Sequence, residues 1–371
     1  MYAKLVPPTI FEDGMDKFLI KGKEEIMKKS QLVFGLLALI LLVGFSTPAM
    51  AQNAPILPGG PFINPNQEVS DASTLTFADI EAMLVMLEAR SKGQMDLLTL
   101  GYSAGGRPLY AARIGTGEKR MWLQGRIHGG ERYGAETCLE FLKSLLSDNQ
   151  RYLDDFTFLI IPCYNPDGSD LGQRGNANGV DLNRDWWRNS IDDSYSQPES
   201  LAFFYAWEGF RPHYAIDLHW QGTYFVEDTN AMSALSIGIA VAGSRLPGEI
   251  WDAVRQMAVV GYDALNALGY CNPTRYPLID IPNSAEGTML LGGPDPEGNM
   301  TDWQTAAMFF EERSVGQKSR GYRIKQFVVA VNTIVDAIAT GQLSLVDPNR
   351  WDDIPDRPRS IRTSDKWPNL P

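Results

Sequence analysis

The chain has 371 residues, 44% of them hydrophobic and 21% charged, a composition of folded globular proteins without disorder, collagenous or repeat bias. Its formal net charge of −12 excludes nucleic acid as the main partner, because holding a phosphate backbone takes a basic surface. Three cysteines are too few and too scattered for a disulfide framework or a cysteine-rich metal site. Cys138 and Cys163 fall in a predicted helix and strand and are expected as small buried hydrophobes, with Cys271 a candidate free thiol.

The N-terminus reads as a targeting segment. Lys28 and Lys29 precede an apolar run, Leu32 to Phe45, and Ala49-Met50-Ala51 stands before Gln52. Those parts in that order predict a secretory signal peptide over 27–51, cleaved after Ala51, and a periplasmic or secreted protein. The run is too short to span a membrane, and no span is expected in the mature chain. Signal peptides begin at the initiator, so residues 1–26 are expected to be a non-native extension from a mis-called start. Residues 52–70, rich in Pro, Asn and Gly, read as a flexible leader, 71–345 as one folded domain, and 346–371 as a C-terminal tail.

Within the domain, Phe77–Arg90 has helical periodicity, with Ile80, Met83, Leu84 and Leu87 on one face. Two extended runs follow, Leu97–Tyr102 and Leu109–Ile114, joined through Ala104-Gly105-Gly106. Met121–Ile127 reads as a strand, Glu131–Leu146 as a helix, and Phe156–Pro162 as a strand buried on both faces. Tyr164 to Asn189 is polar and aperiodic, a length of irregular chain that is usually functional. A helix begins near Ser196-Gln197-Pro198-Glu199. Strands Tyr214–His219 and Ala306–Glu311 and helices Pro247–Leu268 and Gly321–Ala339 complete the pattern. This alternation predicts a single-domain three-layer α/β/α fold with a mixed, largely parallel central sheet, whose ligands gather at the carboxyl ends of its strands.

Histidine is scarce: His128, His213 and His219. His128 follows a strand and opens His128-Gly129-Gly130-Glu131, whose glycines are expected to turn the chain so that both outer side chains face one centre. His219 ends a separate strand. A catalytic zinc takes three such ligands and keeps a fourth position open. The competing reading is a helix-start glutamate beside an unrelated histidine. The long loop adds Asn165-Pro166-Asp167-Gly168, then Arg174, then the run from Asn176 to Asp185. Arg174, Asn183 and Arg184 concentrate donors suited to a carboxylate, and one arginine could instead stabilise an oxyanion. Asp181 is a candidate to hold a ligand histidine by its other ring nitrogen.

These residues resemble the zinc carboxypeptidases of the carboxypeptidase A/B type, in a bacterial exported form. The likeness runs from about Asp96 to Ala339 and is most specific over Asn165–Arg184 with Gln197-Pro198-Glu199 after it. It implies one zinc ion on His128, Glu131 and His219, and Arg174 on the oxyanion side. Asn183 and Arg184 would hold the substrate's terminal carboxylate, and Asp181 would orient His128. Phe309-Phe310-Glu311-Glu312-Arg313 resembles the family's strand ending in Phe-Glu-x-Arg, which implies Glu311 as general base, with Glu312 facing away. Gly106-Arg107-Pro108 resembles the family's early hairpin. The implied activity is hydrolysis of the C-terminal bond of peptides bearing a free carboxylate, by a chain expected to be monomeric. His213 has no implied metal role.

The chain departs from that pattern at Gly130, where digestive members carry arginine. It also has no secure counterpart of the capping tyrosine, for which Tyr270 and Tyr276 are candidates by proximity alone. Ile279–Thr301 is expected to form part of the specificity pocket. A zinc amidase or deacylase acting on cell-wall peptides or N-acyl amino acids is a competing reading, and an inactive binding module on the same scaffold is another.

Overall fold

Thr76 starts the first described helix, α1 (Phe77–Arg90), through a capping box: its hydroxyl accepts from Asp79 N–H while the Asp79 carboxylate accepts from Thr76 N–H. The helix then buries Phe77, Ile80, Leu84 and Leu87, the stripe that its sequence spacing requires. The computed structural model describes residues 75–187, 194–222, 224–229, 231–313 and 320–357. The extension, signal peptide and leader, and 358–371 of the tail, lie outside the described residues. The chain divides into Met1–Pro55 and Ile56–Pro371, and the fold below belongs to the second unit.

Among the described residues, ten strands follow in chain order: β1 (Met95–Tyr102), β2 (Pro108–Ile114), β3 (Lys119–Gly125), β4 (Phe156–Ile161), β5 (Tyr214–Gln221), β6 (Tyr224–Phe225), β7 (Met232–Ser233), β8 (Leu235–Gly238), β9 (Thr274–Arg275) and β10 (Ala306–Arg313). Eight form one sheet in the order β1-β2-β4-β3-β5-β10-β8-β9, and β6 pairs with β7. The centre, β4-β3-β5-β10, is parallel throughout. Antiparallel pairings join β1 to β2, β2 to β4 and β8 to β10. The sheet is therefore mixed and largely parallel, as the alternation of elements predicts.

The other α-helices among the described residues are α2 (Gly134–Leu145), α3 (Pro166–Leu171), α4 (Pro198–Phe210), α5 (Gly248–Leu268), α6 (Ala285–Leu291) and α7 (Arg320–Ala339). On one face of the sheet, Phe158 of β4 packs against Phe141 of α2 at 5.4 Å and Phe310 of β10 against Phe327 of α7 at 6.4 Å between ring centroids. On the other face, Trp122 of β3 meets Phe203 of α4 at 6.4 Å. Burying each such ring contributes about 1.5–3 kcal/mol, so both helical layers are held by the sheet they cover.

Register decides what shares the α4 face. Gln124 pairs with Asp217, Asp217 with Phe309, and His219 with Glu311. Because side chains alternate, these form one row with Trp122. Glu312 turns to the opposite face, 3.9 Å from Arg323 of α7, as strand alternation requires.

Several boundaries differ from expectation. The helix expected from Glu131 begins only at Gly134, leaving Glu131 in the preceding loop. Helices α3 and α6 lie in stretches read as irregular; with six and seven residues they are too short to show a period. Residues 346–357, read as tail, pack on the domain with Trp351 and Ile354 buried. All three cysteines are buried thiols outside any disulfide. Among the described residues, no helix is long and apolar enough to cross a membrane.

Candidate metal centre and active site

His128 and Glu131 occupy the loop after β3, and its shape comes from a cause other than the turn expected of glycine. Arg126 and Tyr133, not the glycines, take positive φ here, at 57° and 72°. Gly129 is required because the chain of α3 passes against it: a Cβ there would lie 2.1 Å from the Gly168 carbonyl carbon. Backbone bonds from Gly129 to Arg174 O and from Gly130 to Gln173 O tie the loop to the long polar segment.

The result is a tight convergence. His128 Nδ1 lies 2.7 Å from Glu131 Oε1, His219 Nδ1 3.0 Å from Glu131 Oε2, and the two Nδ1 atoms 3.2 Å from each other. Both histidines are buried. On the far sides of the rings, His128 Nε2 stands 3.2 Å from Asp181 Oδ1, and His219 Nε2 2.9 Å from Glu286 Oε1 and 3.1 Å from Asp217 Oδ2. Carboxylates at each Nε2 favour a ring hydrogen there, so a metal would replace the protons that the Nδ1 atoms share with Glu131. Two imidazole nitrogens and a carboxylate in one spot fit a zinc donor set, and the donor atoms lie within 4.8 Å of one another.

The electrostatics match a site built around positive charge. Burial by itself would raise Glu131, but His128 and His219 outweigh it and hold the carboxyl at about 2. Burial opposes charge on His219, yet Asp217 and Glu131 push its pKa well above the histidine range. Burial also penalises charge at Asp181, but His128 and Arg174 hold it below the usual carboxylate range. Protons on the imidazoles thus do what a cation would do.

Glu311 arrives from β10 beside His219 on β5. Burial, helped by Glu131, pushes its carboxyl up to about 7. Arg174 Nε donates to Asp181 Oδ2 at 2.8 Å, and its Nη1 lies 3.3 Å from His128 Nδ1. Arg184 is half-buried, with Nη1 donating to Asn183 O. Asn183 is buried and engaged: its Oδ1 accepts from Ala285 N–H at 2.8 Å and its Nδ2 lies 3.4 Å from Glu286 Oε1. The rest of the polar loop is largely internal bracing. Asn165 caps α3 through Gly168 N–H, Asn176 donates to Gln197 and Glu199, and Asp167 pairs with Arg107 of the β1–β2 turn.

Three acquisitions were not read from the sequence. Asp217 could have been, since it precedes His219 by two on a strand and must share its face. Glu286 had no signal, coming from the short α6 inside the Pro/Gly-rich stretch. Arg357 comes from the presumed tail, with its guanidinium between Tyr224 and Tyr276 at 3.8 and 3.7 Å from the ring centroids, and it bonds Gln221. Tyr276 also packs edge-on against Phe309, which brings it close to the site, whereas Tyr270 is exposed. His213 accepts from Arg120 N–H through Nδ1, away from this centre.

Residues 80–226 match the family model described as zinc carboxypeptidase. Carboxypeptidase 2 of Trichophyton rubrum is 34% identical over 103 residues, covering 27% of this chain and 18% of that protein. Carboxypeptidase E of Caenorhabditis elegans is 32% identical over 135 residues, covering 29% of each. The chain therefore matches less than a third of the length of these curated relatives. Among solved structures, metallo-carboxypeptidase from Burkholderia cenocepacia is 20% identical, covering 71% of this chain and 69% of that one, with a TM-score of 0.52. Carboxypeptidase A from Helicoverpa armigera is 16% identical, covering 84% and 81%, with a TM-score of 0.55. These two share its fold. Residues 80–226 thus carry a zinc carboxypeptidase match in sequence, and the architecture is the fold of these two carboxypeptidase structures.

Proposed function

We propose that the protein is an exported zinc metallocarboxypeptidase that removes C-terminal residues from peptides. The observation that carries this reading is the convergence of His128, Glu131 and His219 with Glu311 on the adjoining strand. One zinc ion held by those three ligands would supply Lewis acidity toward the scissile carbonyl and a water molecule.

The chain's own groups account for the rest. Glu311 takes a proton on its carboxylate from the attacking water and delivers it to the departing amine nitrogen. Its raised pKa suits that exchange near neutrality. Arg174, steered by Asp181, offers its guanidinium to the oxyanion that develops on the carbonyl oxygen. Arg184 is assigned to the substrate's terminal carboxylate. Asn183 would join it only by exchanging its present bonds to Ala285 and Glu286. Fixing the carboxylate orients the bond to be cut, which can supply much of the rate. Residues 27–51 are read as directing export.

The test is mass spectrometry of a defined peptide mixture incubated with the chain from residue 52, with and without a chelator. Stepwise C-terminal trimming that the chelator stops supports the reading. A zinc-loaded, folded protein that trims nothing would move the assignment to cell-wall or N-acyl amino acid substrates.

A further inference from the structure

His219 is gripped differently from His128. Behind His128 stands one carboxylate, Asp181, with 28% of its side chain exposed and shared with Arg174. Behind His219 stand two, Glu286 and Asp217, each about as buried as a core leucine. Placing two carboxylates in a core is costly unless their partners repay the lost hydration. Their partners here form a continuous chain. Trp122 Nε1 donates to Gln124 Oε1 at 2.6 Å, and Gln124 Nε2 donates to Asp217 Oδ2 at 2.6 Å. On the other side, Asn183 Nδ2 lies 3.4 Å from Glu286 Oε1, and Asn183 Oδ1 holds the first residue of α6. His219 Nε2 is the point where both arms meet.

We propose that Glu286, supported by Asp217, is a positioning residue for the metal centre: it accepts the Nε2 hydrogen of His219 and fixes that ring with Nδ1 toward the metal. A ligand imidazole must carry its hydrogen on the nitrogen away from the ion, and the partner of that hydrogen sets both tautomer and ring orientation. The network also couples the centre to Asn183, next to the arginine assigned to the substrate. Asp217, His219 and Glu286 also lie close enough together to hold an ion of their own. A second ion there would require His219 to be shared between two metals through both nitrogens. A hydrogen-bonded anchor needs only an ordinary neutral imidazole.

The inference rests on the metal reading of His128, Glu131 and His219, and its test keeps the two apart. Zinc affinity is measured on the purified protein by competition with a fluorescent chelator, and the visible spectrum is recorded with Co(II) in place of zinc. Wild type is compared with Glu286→Gln and Asp217→Asn, with metal-free melting as the control for folding. Glu286→Gln is expected to weaken zinc about 10- to 100-fold, as loss of such a partner typically does, and to shift the cobalt bands. Asp217→Asn is expected to do the same to a smaller degree, and it carries the test should the first variant not fold. Tight wild-type binding that neither variant alters, with an unchanged cobalt spectrum, would overturn the inference alone. So would a wild type that binds two equivalents and loses only one in the variants. A wild type that takes no zinc would defeat the metal centre itself.

Discussion

Replacing Glu311 by glutamine separates the cost of keeping a carboxylate at this site from the chemistry proposed for it. Its carboxyl lies at about 7 in the folded chain against 4.5 as the reference, chiefly because of burial. A rise of about 2.5 units corresponds to roughly 3 kcal/mol at 1.36 kcal/mol per unit. Glu311 is partly exposed, so solvent screening reduces the expected effect to about 1–3 kcal/mol. Because the folded value is the higher one, the folded chain binds the extra proton between those two pH values. The favourable contribution is complete below the unfolded value of 4.5 and is lost as pH rises through about 7. Glutamine keeps the shape and never ionises. In metal-free protein, Glu311→Gln should therefore lie within about 1 kcal/mol of wild type near pH 5 and exceed it by about 1–3 kcal/mol near pH 8. Denaturant unfolding of chelator-treated samples at both pH values measures this. A stability difference that does not grow with pH would refute the burial argument. With zinc present, the same variant should retain the metal while turnover falls by about 10²–10⁴, the usual worth of a general base.

Three other outcomes follow from the geometry. Burial disfavours charge on His128 and His219, but Glu131 beside the first and Asp217 beside the second outweigh it and raise both. Zinc should therefore displace protons and bind more tightly as pH rises through and above the histidine range; calorimetry in buffers of different ionisation enthalpy should show proton release, and its absence would contradict the assignment. Arg184→Ala should raise KM for free-acid peptides by about 10- to 100-fold, the worth of a charge-assisted hydrogen bond, and should erase the preference over C-terminally amidated peptides. Gly129→Ala drives a Cβ against the Gly168 backbone, which cannot yield, so it should lower stability by about 1–3 kcal/mol or more and weaken metal binding. Gly248→Ala, with open space around it, should be neutral in the same melting assay.

How much of this was legible depended on whether the cause was local. Phe77–Arg90 was readable to the residue because its buried stripe and its Thr76 cap are both properties of neighbouring sequence. The central strands were readable because β3, β4, β5 and β10 are nearly continuous apolar runs, as parallel strands covered on both faces must be. His128, Glu131 and His219 stood out because they lie near or beyond the carboxyl ends of such strands, and Glu311 was named through the resemblance of Phe309–Arg313 to a family strand. Tertiary packing decided the remainder. Gly129 is a glycine because a chain some forty residues away crosses it, and no pattern around residue 129 encodes that crossing. Glu286 and Arg357 reach the centre from a short helix and from a segment read as tail, where periodicity has too few turns to register. Strand pairing between β5 and β10 sets Glu311 level with His219. Sequence spacing orders side chains along one element, but the distance between elements comes only from the register and packing that the whole fold settles together.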